Sequence, residues 1–439
     1  MSHFVFVSFL IISILMRLPL SVAMIVLRSL IPFVRRRLDF ERLNLRDPAS
    51  KSFKRHQVKA DLCFEISSEG ELEQSSALIS KALSQSKKIE IIYSSPSVEE
   101  KCQKLYFAHV DNVRLLRLPL LSNSPFAFLY FQSLWQWVSS EVIVFCRYDF
   151  YPELLLLKFF NKKLVLLSAT TKKLSWYKKE SFKFFSYVVA ATAIDQKQLV
   201  QLNFLKIDFI KNCDLRVPRI IERKKNSHQV LNDFSKVTSF KEYLEFLDNK
   251  SPSEKIIFGS VWPSDIEILN DKILINDLIS NKIHLCLVPH QLKNEFIEKL
   301  VEKINLVTGA LVPIEVLDGQ SSFKPAPIII LKKSGVLCEL YTLFRFSYIG
   351  GGYERSIHSV LEPFFMNNII IVGPKTHRST ELEIVQSLLP DEIHVLKLPN
   401  SFYNLFMSIH LKNPDLKARE KLSNEIIHQS DELFKELLP

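Results

Sequence analysis

Two spacings of apolar residues alternate along most of the chain. Short, nearly continuous apolar runs have the length of buried strands. Between them, apolar positions recur every three or four residues, as on one face of a helix. Residues 62–66, 88–93, 113–118, 142–146, 164–167 and 187–191 read as strands, with 71–86, 98–107, 126–139 and 151–161 as helices among them. Leu72, Ile79 and Leu83 fall on one face of the first of these helices. A second series has strands over 256–258, 284–288, 327–331, 347–349, 369–372 and 393–396. Its helices lie over 293–304, 381–388 and 401–410, and a long charged one over 415–438. Residues 217–254, between the series, are basic, polar and irregular, with one short helix expected over 241–248. This pattern predicts an α/β protein of two Rossmann-like domains with largely parallel sheets: residues 35–216, a connection over 217–254, and residues 255–439. Ligands of such sheets sit at the carboxyl ends of strands, often in the cleft between domains.

Residues 1–34 break the pattern. Residues 4–16 are nearly all apolar, Arg17 interrupts, 18–27 resume, and 30–34 lead into Arg35-Arg36-Arg37. A membrane span needs about 20 apolar residues, and an arginine within one is costly unless it reaches the interface. The segment is expected to be a membrane anchor that crosses the bilayer or lies in one leaflet as a helical hairpin. A cleaved signal peptide competes, but Met1-Ser2-His3 carries no Lys or Arg. The arginines after the apolar stretch place the bulk of the chain on the cytoplasmic side and suit anionic lipid headgroups.

Composition narrows the function. The chain has 9 glycines in 439 residues, where average usage would give roughly 31. With 47% apolar and 24% charged residues, disordered and low-complexity classes are excluded. A net charge of +10 favours phosphate groups, an anionic membrane surface or nucleic acid. Nucleic acid accounts for the charge but not for the apolar N-terminus. The cysteines at 63, 102, 146, 213, 286 and 338 form no C-x-x-C pair. Buried, reduced thiols in a cytoplasmic compartment are the expectation.

Several loops carry candidate chemistry. A strand ending at Ile349 runs into Gly350-Gly351-Gly352, and a helix is expected from near His358 through Ser359 and Glu362. Glycines admit close backbone approach to a phosphate, and a helix N-terminus favours its charge. Glu362 would then reach a ribose. Ser67-Ser68-Glu69-Gly70-Glu71 also follows a strand and opens a helix. Its plain reading is a helix cap; its functional one makes Glu71 a general base. Ser260 follows the strand at 256–258, and His290 ends the one at 284–288. Asp149 precedes Pro152, where capping of a helix is the simpler role. No G-x-x-x-x-G-K-[ST] loop, H-E-x-x-H, paired cysteines or G-x-S-x-G elbow occurs. Neither a metal nor a cofactor is expected.

The order of these motifs resembles that of the 3-deoxy-D-manno-octulosonic acid (Kdo) transferases, over most of the chain from the N-terminal segment to beyond Pro374. Ser68-Glu69-Gly70-Glu71 is similar to the family's S-x-G-E element, which assigns its catalytic base to Glu71. Asp149–Pro152 resembles E-L-W-P. Gly259–Pro263 is similar to a G-S-x-W-P element and Val288-Pro289-His290 to A-P-H. Gly350–Gly352 with Ile357–Pro363 resembles the G-G-G…I-H-N-x-L-E-P block, Ser359 replacing Asn, followed by Gly373-Pro374. Asp214-Leu215-Arg216 resembles the basic element closing the N-terminal domain. Arg147 stands in place of a glutamate, Thr170 of an arginine and Pro218 of an aspartate.

The resemblance implies a GT-B glycosyltransferase anchored to the bacterial inner membrane, its domains on the cytoplasmic face. It would move Kdo from CMP-Kdo to a lipid A precursor with inversion. The donor would be held by Ser260, His290, Gly350, Gly351, Gly352, His358, Ser359 and Glu362. Ser68, Gly70, Asp149 and Arg216 would meet the acceptor or acidic groups. The alternatives are a transferase of the same fold with another donor or lipid acceptor, and a non-catalytic relative that binds lipid A.

Overall fold

Parallel strands covered by helices on both faces must be apolar on both sides. Residues 142–146 meet that condition and 62–66 do so except at Glu65; both form strands with every residue buried. The computed structural model describes residues 3–27, 30–50, 59–120, 134–147, 149–171, 174–202, 210–377 and 379–438. The chain forms two compact units, residues 1–216 with 426–439, and residues 217–425.

The first unit contains β1 (Leu62–Ile66), β2 (Ile89–Tyr93), β3 (Val113–Arg117), β4 (Val142–Cys146), β5 (Lys163–Ala169), β6 (Tyr187–Ala190) and β7 (Ile210–Asn212). They lie in the order β3-β2-β1-β4-β5-β6-β7, and all pairs are parallel. Chain progression reverses direction at β1 and β4, the switch point where open α/β sheets bind ligands. Of the helix expected over 126–139, Leu134–Trp137 is described, and 126–133 lie outside the described residues.

The second unit repeats the plan with β8 (Lys255–Val261), β9 (His284–Pro289), β10 (Ile314–Leu317), β11 (Ile328–Leu331), β12 (Phe346–Ile349), β13 (Ile369–Val372) and β14 (Ile393–Val395). Their order is β10-β11-β9-β8-β12-β13-β14, again parallel throughout. The switch point here lies between β8 and β12.

Three expectations change. The supposed irregular connection is two helices, Arg216–Phe234 and Thr238–Asp248, and it belongs to the second unit. Pro218 is tolerated because the first helical turn needs no amide donor. Residues 426–439 join the first unit, with Leu433, Phe434 and Leu437 of the helix Leu416–Leu437 in its core.

The third concerns the N-terminus. Residues His3–Leu27 form a helix whose Phe6, Leu10 and Ile14 are buried in the first unit. Phe6 packs edge-on to Trp176 and Phe184 at ring separations of 5.4 and 5.8 Å. The spacing of four puts these residues on one stripe. Among the described residues, no helix is long and apolar enough to cross a membrane. Phe4, Val5, Phe9, Ile11, Ile12, Leu15 and Met16 remain exposed. Arg37 does not stand free for lipid: its Nε donates to Glu41 at 2.6 Å, and its guanidinium also bonds the Ser94 and Leu118 carbonyls.

Candidate active site

The β1–helix turn presents Ser67, Ser68 and Glu71 at the first switch point. Ser68 caps the helix Glu69–Ser84 through a capping box. Its hydroxyl accepts from the Glu71 amide at 3.4 Å, while Glu71 Oε2 accepts from the Ser67 and Ser68 amides at 2.6 and 3.0 Å. The plain reading as a helix cap is therefore realised. It occupies only one carboxyl oxygen: no hydrogen bond reaches Oε1 from the described residues. Glu71 is 5% exposed. Burial pushes its pKa up, the Ser67 amide pulls it down, and the Asp149 charge pushes it up again, for a net rise.

Gly70, one residue before the base, has nothing within 4 Å of where a Cβ would sit. Asp149 is exposed and does not cap the helix Pro152–Leu155, whose N-cap is Tyr151 without a side-chain bond. Arg147 takes a left-handed backbone, φ 66°, as does Ser168 at φ 52°. Such conformations cost about 1–3 kcal/mol in non-glycine residues and cluster at functional sites. Arg216 pairs with Asp214, Nε to Oδ1 at 2.9 Å, in its own turn.

In the second unit three rings come from the ends of adjacent strands. Trp262 follows β8, His290 follows β9 and His358 follows β12. Trp262 and His290 stack at 4.5 Å, and His290 and His358 at 4.4 Å. The Trp262 indole N–H donates to His358 Nε2 at 2.9 Å. That bond requires an unprotonated Nε2. Burial, then the neighbouring His290, lowers the His358 pKa to about 4, and burial lowers that of His290.

The glycine run is required by the packing of the unit itself. A Cβ on Gly350 would meet the Ser260 carbonyl and, at 2.8 Å, Asp265 Oδ2; one on Gly352 would lie 2.7 Å from the Gly373 amide nitrogen. Gly351 has φ +92°, and its Cβ would strike the Ser356 carbonyl. The protein's own backbone thus demands all three. Asp265 pins this loop to the one after β8. Its Oδ2 accepts from the Gly351 and Trp262 amides, each at 2.9 Å, and its Oδ1 from the Tyr348 hydroxyl at 2.9 Å. Ser260, at φ 55°, lies in the same junction.

The helix expected from His358 starts instead at Leu361. His358 N–H bonds the Gly350 carbonyl and Ile357 N–H the Lys375 carbonyl, both at 3.2 Å, which keeps these residues out of a helix. Glu381 Oε2 accepts from the Ser359 hydroxyl at 2.8 Å and from the Val360 and Leu361 amides at 2.9 and 3.4 Å. A carboxylate therefore occupies the donors assigned to a phosphate. Glu362 lies 3.4 Å from Arg223 Nη1, and Arg223 also grips Glu339 at 2.8 Å through two bonds. Sequence reasoning gave no role to Glu65, Arg223, Trp262, Asp265 or Glu381. Trp262 lay inside a recognised motif; the others have no local signature.

Two parallel sheets with polar groups gathered at their switch points define the architecture of GT-B glycosyltransferases and related sugar-nucleotide enzymes. A glycosyltransferase from Rickettsia africae shares it at a TM-score of 0.55 and 14% identity, over 87% of this chain and 99% of that one. So does a UDP-GlcNAc 2-epimerase from Neisseria meningitidis, at a TM-score of 0.54 and 11% identity, over 83% and 94%. These likenesses show the fold alone. No protein-family model matches the chain. A bifunctional glycosyltransferase/methyltransferase of Fusobacterium nucleatum is 24% identical over 48% of this chain and 30% of its own length. The Kdo transferase of Chlamydia trachomatis is 25% identical over 31% and 30%. That of Rickettsia typhi is 22% identical over 73% and 63%. The chain spans about 30% of the first curated relatives it matches. By these relatives the chain is similar to the Kdo transferases among the glycosyltransferases.

Proposed function

We propose that the protein transfers Kdo from CMP-Kdo to a lipid A precursor, with inversion at the anomeric carbon and Glu71 as general base. The observation that carries this reading is the state of Glu71. It is buried, held by two amides on one oxygen and shifted toward higher pKa. A base poised nearer to working pH takes a proton more effectively. The acceptor hydroxyl attacks the anomeric carbon and gives its proton to the Glu71 carboxylate. The bond to the CMP phosphate breaks, and the phosphate leaves with the electron pair.

The donor side rests on the second unit. The neutral ring stack of Trp262, His290 and His358 offers hydrogen-bonding edges beside Ser260, and Glu362, aligned by Arg223, suits a ribose. Phosphate binding at Ser359–Leu361 requires Glu381 to yield its bonds. Asp149 and Arg216 remain candidates for acidic or acceptor groups. The exposed apolar face of the N-terminal helix, with the exposed Arg35 and Arg36, supports attachment to an anionic membrane surface at the cytoplasmic face of the inner membrane. Incubation of the purified protein with CMP-Kdo and lipid A precursor tests the reading. Product heavier by one or more Kdo units is expected. Absence of product, with turnover of another nucleotide sugar, would replace the donor.

A further inference from the structure

Glu65 is a buried carboxyl in the same turn as Glu71, with no role in the reaction as written. It is the penultimate residue of β1 and is 1% exposed. Its Oε1 accepts from the Ser67 hydroxyl at 2.6 Å, and its Oε2 is buried without any partner. Ser67 also accepts from the Ser94 hydroxyl at 2.9 Å and lies 3.5 Å from the Tyr151 hydroxyl. The same Ser67 donates its amide to Glu71 Oε2. A single residue therefore joins the two carboxyls, its side chain held by Glu65 and its backbone holding Glu71.

An ionised carboxylate with one orphan oxygen is expensive to bury. Among the described residues no cation acts on it. Glu71 faces it from the helix and Asp149 from the loop after β4, both raising its pKa beyond the dominant effect of burial. Cys63 on its own strand, Cys146 on β4 and Tyr151 also face it among the described residues, each with its pKa pushed up. Arg147 acts favourably on Glu71 and Cys146. Two neighbouring carboxyls in a low-dielectric site titrate as a pair, one keeping its proton while the other ionises.

We propose that Glu65 is a neutral carboxylic acid at working pH and acts as a positioning residue, fixing Ser67 so that the Ser67 amide holds Glu71 as the ionised member of the pair. The inference rests on Glu71 being the base. Glu65 itself touches no substrate, because its free oxygen is closed off from solvent. Its proton spares the site a second negative charge beside an acceptor that carries phosphates.

Infrared difference spectra and kinetics test this together. At neutral pH, wild-type protein minus Glu65→Gln should show the carbonyl stretch of a protonated carboxylic acid. Glu65→Gln keeps a neutral acceptor for Ser67 and should hold kcat within roughly threefold of wild type, whereas Glu65→Leu should lower kcat about tenfold or more, the loss of one aligned hydrogen bond. Donor KM should stay unchanged in both, and the acid limb of the pH–rate profile should move in Glu65→Leu. Absence of the acid band, or a Glu65→Gln variant as impaired as Glu65→Leu, overturns the proposal. Should Glu65→Leu fail to fold, the band and Glu65→Gln decide it alone. The band needs no turnover, so it separates failure of this inference from failure of the assigned reaction.

Discussion

Asp265 organises the second unit's binding loops, and its replacement gives a graded outcome. The side chain is 0% exposed and accepts three hydrogen bonds, two amides on Oδ2 and the Tyr348 hydroxyl on Oδ1. Asp265→Ala leaves the buried Tyr348 hydroxyl and Gly351 amide and the half-buried Trp262 amide without this acceptor. At about 1–3 kcal/mol for each orphaned group, and with partial relaxation, the loss should be about 3–5 kcal/mol. Asp265→Asn differs in kind. Its carbonyl oxygen can take the Oδ2 position and keep both amides, while its NH2 donates to the Tyr348 hydroxyl, which rotates to accept. Only charge assistance disappears, so about 1–2 kcal/mol is expected. Urea unfolding, compared at constant slope, measures both. Calorimetric titration with CMP should show weakened binding for Asp265→Ala and near-normal binding for Asp265→Asn. An alanine variant within about 0.5 kcal/mol of wild type would refute the pinning argument, as that is the scatter of neutral surface changes.

Other substitutions probe separate parts of the site. Gly70→Ala should stabilise the helix Glu69–Ser84 by about 0.5–1 kcal/mol, since its methyl would meet nothing within 4 Å; thermal melts read the effect. Arg223→Met leaves Glu339, 2% exposed, as an uncompensated buried charge, which should cost about 3–5 kcal/mol and weaken CMP binding through Glu362. Glu381→Gln should loosen the carboxylate's hold on Ser359, Val360 and Leu361, and tighter CMP binding is the expected result by calorimetry. His358 has a folded pKa of about 4, below its unfolded value. Its contribution to stability is therefore present above the unfolded pKa of about 6.5 and is lost as pH falls toward 4. Unfolding at pH 7 and at pH 4.5 should differ in that direction, and less so in His358→Gln.

The β-core was legible because both sheet faces are covered: uninterrupted apolar runs such as 142–146 have no other use. Helix Arg216–Phe234 was hidden by its own charged composition, with Arg219, Arg223, Lys224 and Lys225 in one stretch and Pro218 near its start. The start of the helix at Leu361 was misjudged because long-range bonds from His358 to Gly350 and from Ile357 to Lys375 hold the loop open. Gly350, Gly351 and Gly352 stood out at once, but not their reason. It lies in Ser260, Asp265, Ser356 and Gly373, residues brought near only by the sheet. Ser68 and Glu71 carried a local cap signal, and the capping box forms. Glu65, in contrast, sits in a strand read as apolar, and its link to Ser67 is a matter of folded geometry.

Glu71 is the residue on which the proposed chemistry depends, and glutamine is the substitution that isolates it. Gln fits a capping box as Glu does, so Glu71→Gln should fold and bind CMP with wild-type affinity. Mass spectrometry of the lipid A precursor after incubation with CMP-Kdo then gives the decisive reading. The account predicts Kdo-bearing product with wild-type protein and none with Glu71→Gln. A Glu71→Gln variant that retains most of the wild-type rate would contradict it.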